Sequence, residues 1–470
     1  FNCIFSSIAL GSVFVLPGAH SLLLSAAGAL LAGVVSVGIA RPLAAVGLSP
    51  LALPFNLVVL GTLYALAFRR PDAQPRLVGL PGPSPEAALR SFQTRQRRFG
   101  VRVPIRLRLP FRGTWICTQG NNGAHTHQGL WADGLDFEVV DAEGKRHSNG
   151  GTKLGDWHCY GLPVCAPAVG TVVEVVDGLP DNAIGHVDTL SPWGNLVILQ
   201  HGPGLFSVVA HLQPRSIRVK KGEVVSDGQE LGRCGSSGRS PVPHLHFQLQ
   251  PTAAIGDRTL PVAFHGTVRL GEVAEVSAEY CPKEGDKVSN VQVDPALVRA
   301  LALPPSRKLS TVLRKGEEVR SEELLSEVDS LGGRSLVSIG RPGRLWFDSR
   351  EDTFVCYHYE GPQEGALFVI ACAMSRLPLC GSRLQWTDHL DARQLGGVGW
   401  WEDLRGLVLP PSSMVLRYSL MEEDGVPTLR SSSEGSNPRI VSKTTLSRQR
   451  GIERIQLRLD GVDMELQCLS

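Results

Sequence analysis

The sequence predicts a multi-domain chain: an α-helical membrane segment, then an all-β domain of antiparallel sheet, then a β-rich C-terminal domain. Three observations predict it. Residues 1–68 carry one charged side chain, Arg41, and no Asp, Glu or Lys. From about residue 99, apolar and polar residues alternate in short runs bounded by Gly or Pro, the period of strands. The 51 glycines and 32 prolines among 470 residues also favour strands and loops over helical bundles in the soluble part. A prior of roughly 150 residues per domain gives about three units. A net charge of +2 supplies no global attraction for nucleic acid. The chain opens on Phe1 rather than Met and reads as a fragment.

The N-terminal segment contains three apolar runs, Cys3 to Leu16, His20 to Ala40 and Leu51 to Phe68. A bilayer span needs about 20 apolar residues. The second and third runs reach or approach that length and the first is short, which suggests a re-entrant half-helix followed by two spanning helices. Three runs exceed a signal peptide, and no basic leader precedes them. Phe1-Asn2 opening a short helix with Ala9-Leu10-Gly11, together with Gly47-Leu48-Ser49-Pro50-Leu51-Ala52-Leu53-Pro54-Phe55, resembles the last part of bacterial urea transporters. The resemblance covers residues 1–68 and implies a multi-pass inner-membrane protein, with the lipid bilayer and urea as partners. Ala52 stands where that family usually has Thr, so a urea-facing hydroxyl is missing there.

Residues 69–98 form a basic linker with Arg69, Arg70, Arg76, Arg90, Arg95, Arg97 and Arg98 against only Asp72 and Glu86. Beside a membrane segment, such a cluster favours the cytoplasmic side or an anionic lipid surface. The transporter resemblance implies the same side for the residues beyond the linker.

The next domain is expected over residues 99–270. Val101, Val103, Ile105, Leu107 and Leu109 alternate with Arg102, Arg106 and Arg108. Two short strands are expected within Val164 to Val176, then strands at Asn195 to Gln200 and Phe206 to Leu212. In Pro243-His244-Leu245-His246-Phe247-Gln248-Leu249-Gln250, a strand puts His244, His246 and Gln248 on one face, and Leu245, Phe247 and Leu249 in a core. Two imidazoles on one strand face suit metal or acid–base chemistry. Eight residues separate His127 from Asp136, which is flanked by Leu135 and Phe137, and His211 ends another strand. A catalytic zinc takes three nitrogen or oxygen ligands plus water. His127, Asp136 and His246 could supply the three, leaving His211 and His244 to move protons or hold a developing oxyanion.

From about 121 to 250 the chain resembles the lysostaphin-type zinc metalloendopeptidases, which cut peptide cross-links of bacterial cell walls. Beyond His127, Leu135-Asp136-Phe137 and His244-Leu245-His246-Phe247, the match includes Ala166-Pro167-Ala168-Val169-Gly170-Thr171-Val172, Gly194-Asn195, His201-Gly202, Ala210-His211-Leu212 and Val225 to Gly232. The resemblance implies an all-β metallopeptidase domain with Zn2+ on His127, Asp136 and His246, catalytic imidazoles at His211 and His244, and a peptide or peptidoglycan cross-link as substrate. A wall substrate lies outside the inner membrane, against the side the arginines favour. Two other functions are open. The soluble domain could be a non-catalytic wall-binding or regulatory module, or the chain could be primarily a urea transporter that this domain gates.

Other residues carry weaker signals. His125 rivals His127, but the eight-residue spacing favours His127. His186, with Asp181 and Asp188, reads as a loop residue at the rim. His201 suits a turn or packing role, and His147 and His158 carry no assigned role. The ten cysteines contain no Cys-x-x-Cys, so no zinc knuckle is expected. Cys159 with Cys165, or Cys372 with Cys380, could form hairpin disulfides or be buried thiols. Residues 283–470 are expected to be β-rich, from runs at Leu345 to Phe347, Thr353 to Tyr357 and Leu367 to Ala373. Trp386, Trp400 and Trp401 suit its core, and residues 430–437 read as a flexible loop.

Overall fold

The computed structural model describes residues 1–67, 69, 74–78, 85, 88–89, 92, 105–329, 333–349, 352–381, 383–391, 413–435 and 439–469. Phe68, Arg70, Asp72, Glu86, Arg90, Arg95, Arg97, Arg98, Val101, Arg102, Val103, Trp400, Trp401 and residues 436–437 lie outside the described residues. The chain divides into two units. One comprises Phe1–Phe99, Val293–Gly381 and Thr387–Ser470, and the other Gly100–Gln292 and Ser382–Trp386.

The first apolar run folds as α1 (Asn2–Ile8), continued by a π-helical turn over Ala9–Val13. The second is α2 (Ala19–Ala45), the only helix among the described residues long and apolar enough to cross a membrane. Its 27 residues rise about 40 Å, against a hydrocarbon core of about 30 Å. The third run gives α3 (Leu53–Ala67), whose 15 residues fall short of the two-span expectation. Small residues let α1 and α2 approach. Ser21, Ser25, Gly28 and Ala32 form the buried stripe of α2. The Ser25 hydroxyl donates to the Ser7 carbonyl at 2.9 Å, and a Cβ on Gly28 would lie 2.5 Å from Leu10 Cδ1. Small-residue stripes of this kind bring membrane helices together through packing.

The unit of residues 100–292 is built on antiparallel strands: β1 (Trp115–Gln119), β2 (Leu135–Glu138), β3 (Pro163–Cys165), β4 (Gly170–Val176), β5 (Asn195–Gly202) and β6 (Leu205–Leu212). β7 (Val224–Val225), β8 (Glu230–Arg233), β9 (Leu245–Gln250), β10 (Phe264–Leu270), β11 (Glu275–Tyr280) and β12 (Lys287–Asn290) complete it. The main sheet runs β7-β4-β5-β6-β9-β2-β1-β12-β10-β11, and β3 and β8 pair separately. β9 therefore lies between β6 and β2. Its Leu245, Phe247 and Leu249 are fully buried in a core with Phe111, Phe137 and Phe264. Ring centroids of Phe111 and Phe137 lie 5.0 Å apart, and those of Phe247 and Phe264 5.1 Å apart. Each such side chain removed from water contributes about 1.5–3 kcal/mol.

The alternation before β1 ends differently from the strand it predicts. Leu107 and Leu109 are buried, but residues 105–109 join no ladder. The Arg108 N–H donates to the Pro167 carbonyl, and that of Leu109 to the Asn290 side chain. Apolar burial fixes the period there, while the backbone hydrogen bonds go singly to the Pro167 carbonyl, the Asn290 side chain and the His265 N–H instead of along a ladder.

The C-terminal strands are β13 (Lys308–Lys315), β14 (Glu318–Val328), β15 (Arg334–Ser338), β16 (Arg344–Ser349), β17 (Thr353–Glu360), β18 (Arg376–Pro378) and β19 (Leu384–Asp391). They continue with β20 (Ser413–Glu423), β21 (Val426–Ser433), β22 (Ile440–Ser447), β23 (Gly451–Leu459) and β24 (Val462–Cys468). β13 joins the two halves of the order by pairing with both β14 and β24. A short helix, α4 (Pro295–Ala300), precedes them, capped by the Asp294 carboxylate. The run Leu367 to Ala373 is not a strand. It lies in α5 (Ala366–Ala373), whose eight residues are all buried against β13, β15–β17 and β22–β24. A short continuous apolar run fits a buried strand or a buried helix equally well by period alone. Arg430 to Ser433, expected in a loop, close β21. Trp386 is buried. No disulfide joins any of the ten cysteines, so neither hairpin disulfide forms, and Cys159, Cys165, Cys372 and Cys380 are buried.

Candidate metal centre

The register of three neighbouring strands assembles the site. Asp136 on β2 stands directly opposite His246 on β9, and His246 stands opposite Ala210 on β6. His211 follows Ala210 with a φ of 63°, a left-handed backbone uncommon for residues other than glycine. His127 arrives from the loop after β1. His127, Asp136 and His246 are all buried, and each offers a ligand atom within 4.8 Å of the other two. These are three of the five residues the sequence singles out.

The hydrogen bonds fix which atom each residue turns to the centre. His127 Nδ1 lies 3.2 Å from the Gly120 carbonyl, so it carries the proton and leaves Nε2 as the lone-pair nitrogen. That Nε2 is buried without a hydrogen-bond partner, 3.3 Å from Asp136 Oδ1. His246 Nε2 lies 3.1 Å from Gln248 Oε1, and its Nδ1 is 2.9 Å from the same Asp136 Oδ1. Gln248 is oriented in turn by its amide N–H, which donates to Gln250 Oε1 at 2.8 Å. Asp136 Oδ2 accepts from Gln119 Nε2 at 2.9 Å, leaving Oδ1 for the centre. Burial pushes the Asp136 carboxyl up, but the neighbouring imidazoles of His127, His244 and His246 outweigh this and hold it well below the usual carboxylate range.

An orphaned buried imidazole nitrogen facing a carboxylate and a second imidazole is the donor set of a zinc site with an open position. Partners on the far sides of both imidazoles and of the carboxylate are what such ligands need to hold their orientation. The residues fit the metal.

His211 and His244 stand beside this group, their ring centroids 4.7 Å apart. His211 Nδ1 donates to the Ser237 carbonyl at 2.8 Å, and His244 Nδ1 lies 2.9 Å from the Val242 carbonyl. Both therefore keep Nε2 free for other work, and His244 Nε2 is 3.9 Å from Asp136 Oδ1. Burial, with the charges on His244 and His246, pushes the His211 imidazole well below its ordinary value. The Gly194-Asn195 motif supports this pair. The Asn195 N–H donates to Ser237 Oγ and its amide donates to the Leu212 carbonyl, tying the loop that presents Ser237 to the end of β6. A Cβ on Gly194 would fall 2.5 Å from that loop's backbone.

The other histidines fall elsewhere. His125 and His186 are exposed. His201 bridges the Val169 carbonyl and Ser207 Oγ, at 2.8 Å each, in a packing role. His147 packs on Trp157, and His158 lies 3.7 Å from Asp141. Asp181 is structural, accepting from the Ser236 N–H and the Tyr160 hydroxyl.

Sequence reasoning missed three contributors. Gln119 holds Asp136 and also accepts from the backbone N–H groups of His125 and Thr126, which steers the His127 loop. Trp193 places its ring 5.3 Å from that of His246. Gly134 has no side chain because there is no room, since a Cβ would lie 2.9 Å from His127 Nε2 and 3.1 Å from His246 Cε1. A glycine two residues before Asp136 was visible in the sequence, but its reason is tertiary.

Residues 153–257 match the family model described as Peptidase family M23, and residues 1–67 match the model described as Urea transporter. The chain thus carries an M23, lysostaphin-type peptidase segment and a urea-transporter segment. His211, His244 and His246 fall inside the first match, with His127 and Asp136 upstream of it. Over 102 residues the chain is 34% identical to the cell division protein DipM of Caulobacter vibrioides, covering 22% of this chain and 16% of that protein. Over 56 residues it is 46% identical to the peptidoglycan DD-endopeptidase ShyA of Vibrio cholerae, covering 12% and 13%. The catalytic domain of lysostaphin from Staphylococcus simulans aligns at 23% identity over 32% of this chain and 89% of that domain, with a TM-score of 0.20.

Gly134→Ala tests the packing of the centre. It is expected to weaken zinc binding about tenfold or more while leaving the circular dichroism spectrum unchanged, as read by metal content after dialysis against graded chelator.

Proposed function

We propose that residues 99–270 form a zinc metalloendopeptidase that hydrolyses peptide cross-links of peptidoglycan, carried by an N-terminal segment inserted in the bilayer. Residues 283–470 form a separate β-rich domain in this reading. The observation that carries it is the convergence of His127 Nε2, Asp136 Oδ1 and His246 Nδ1, with the first of these buried and unpartnered. The M23 match, and a relative that is a peptidoglycan endopeptidase, support the substrate class.

When bound, zinc would act as a Lewis acid on the scissile carbonyl and lower the pKa of its water. His127, Asp136 and His246 would hold it, oriented by Gly120, Gln119 and Gln248. His211 and His244 face the same space through their Nε2 atoms. One accepts the proton of the attacking water and returns it to the leaving amine, and the other donates to the oxygen on which charge develops. Trp193, against His246, walls the site on one side. Helix α2 supports membrane insertion. A wall substrate requires the peptidase unit on the outer side of that membrane.

His246→Ala or Asp136→Ala in the full chain is expected to abolish both zinc and release of labelled fragments from purified peptidoglycan. His211→Ala should keep stoichiometric zinc and lose about 100-fold or more in rate. Loss of zinc from His211→Ala with retention in His127→Ala would reverse the assignment. For sidedness, Cys281 is the thiol of this unit that is not fully buried, whereas Cys159 and Cys165 are buried. A membrane-impermeant maleimide should label Cys281 in intact cells. Labelling only after lysis would put the unit in the cytoplasm and remove the wall as its substrate.

A further inference from the structure

The C-terminal strands hold a carboxylate that the fold leaves half satisfied. β14 puts Glu322 on the strand face that also carries the buried Leu324 and Ser326, and Glu322 itself is only 6% exposed. Its Oε2 accepts from the Ala366 N–H at 3.1 Å, at the first turn of the buried helix α5, where the helix dipole favours negative charge. That role accounts for one oxygen. Oε1 is buried with no hydrogen-bond partner, and so is Ser338 Oγ on the adjacent strand β15. Both residues line a cavity of about 250 Å³ together with Arg341, Tyr359, Glu364 and Leu367. Gly365 keeps space beside the free oxygen, since a Cβ there would lie 3.3 Å from Oε1. An unsatisfied buried acceptor is costly, and more so when charged.

We propose that this cavity is a binding site for the ammonium group of a small ligand, an amino acid or dipeptide, with Glu322 Oε1 and Ser338 Oγ as its acceptors. The acceptors decide against a divalent cation, because calcium takes about six to eight oxygens and the cavity's other carboxylate, Glu364, is exposed and paired with Arg320 at 3.4 Å. An ammonium group brings three N–H donors and fits two side-chain acceptors plus water. The cavity, at about 250 Å³, lies below the roughly 300 Å³ at which drug-sized pockets begin, which suits a ligand the size of an amino acid or dipeptide. Arg341, exposed on the same cavity, offers a guanidinium to the carboxylate of such a ligand. The site is independent of the peptidase reading.

Calorimetric titration of the full chain in detergent with L-alanine, L-alaninamide and N-acetyl-L-alanine tests this. Alanine and alaninamide should bind and the acetylated form should not. E322Q keeps a carbonyl for the Ala366 N–H but removes the charge, and should weaken both amines at least tenfold. R341A should weaken alanine and leave alaninamide unchanged. Ser338→Ala, a milder change, should weaken both amines and serves if E322Q does not fold. No binding of either amine to the unsubstituted chain, equal binding of the acetylated compound, or unchanged affinity in the Glu322 or Ser338 variants would overturn the proposal.

Discussion

The candidate centre depends on one cross-strand pair, Asp136 opposite His246, with Oδ1 and Nδ1 2.9 Å apart. Side chains alternate along a strand with a period of two, so a slip of one residue between β2 and β9 would turn one partner into the core and break the site. The core guards against that slip. Leu135 and Phe137 on β2, and Leu245 and Phe247 on β9, are fully buried and fill the opposite face. The hydrophobic register and the metal-ligating geometry are therefore one constraint. Around the pair, Gly120, Gln119 and Gln248 fix tautomers and orientation, and Gly134 leaves the volume into which the His127 ring fits.

Much of this was legible because strands project chemistry onto sequence with a short period. The alternation from His244 to Gln250 separated the imidazole face from the core face directly. Asp136 between Leu135 and Phe137 showed the same alternation. What joins the pieces was not legible. Gln119 touches Asp136 across a strand pair and the His127 loop across a turn, and a lone glutamine has no spacing that announces either contact. The left-handed backbone of His211 goes with a hydrogen bond from its Nδ1 to the Ser237 carbonyl, a contact 26 residues away that no spacing announces.

Elsewhere, apolar runs told of burial but not of shape. Residues 367–373 contain no polar residue to set a phase, and they coil into a helix enclosed by strands instead of forming one. The run from Leu51 onward promised a span, yet α3 is 15 residues long and, among the described residues, only α2 has the length of a bilayer core. The stripe of Ser21, Ser25, Gly28 and Ala32 on α2 shows how such helices choose partners when hydrophobicity no longer discriminates. Glu322 is the converse case. One of four glutamates along β14, Glu322 looks like surface, and its burial shows only through the hydrogen bond it accepts from the Ala366 N–H at the start of α5.

X-ray absorption at the zinc edge of the metal-loaded full chain tests the central claim most directly. The account predicts one zinc per chain with only nitrogen and oxygen neighbours at about 2.0–2.2 Å, two of them imidazoles. Sulfur neighbours at about 2.3 Å, or a spectrum unchanged in Asp136→Ala and His246→Ala, would contradict it.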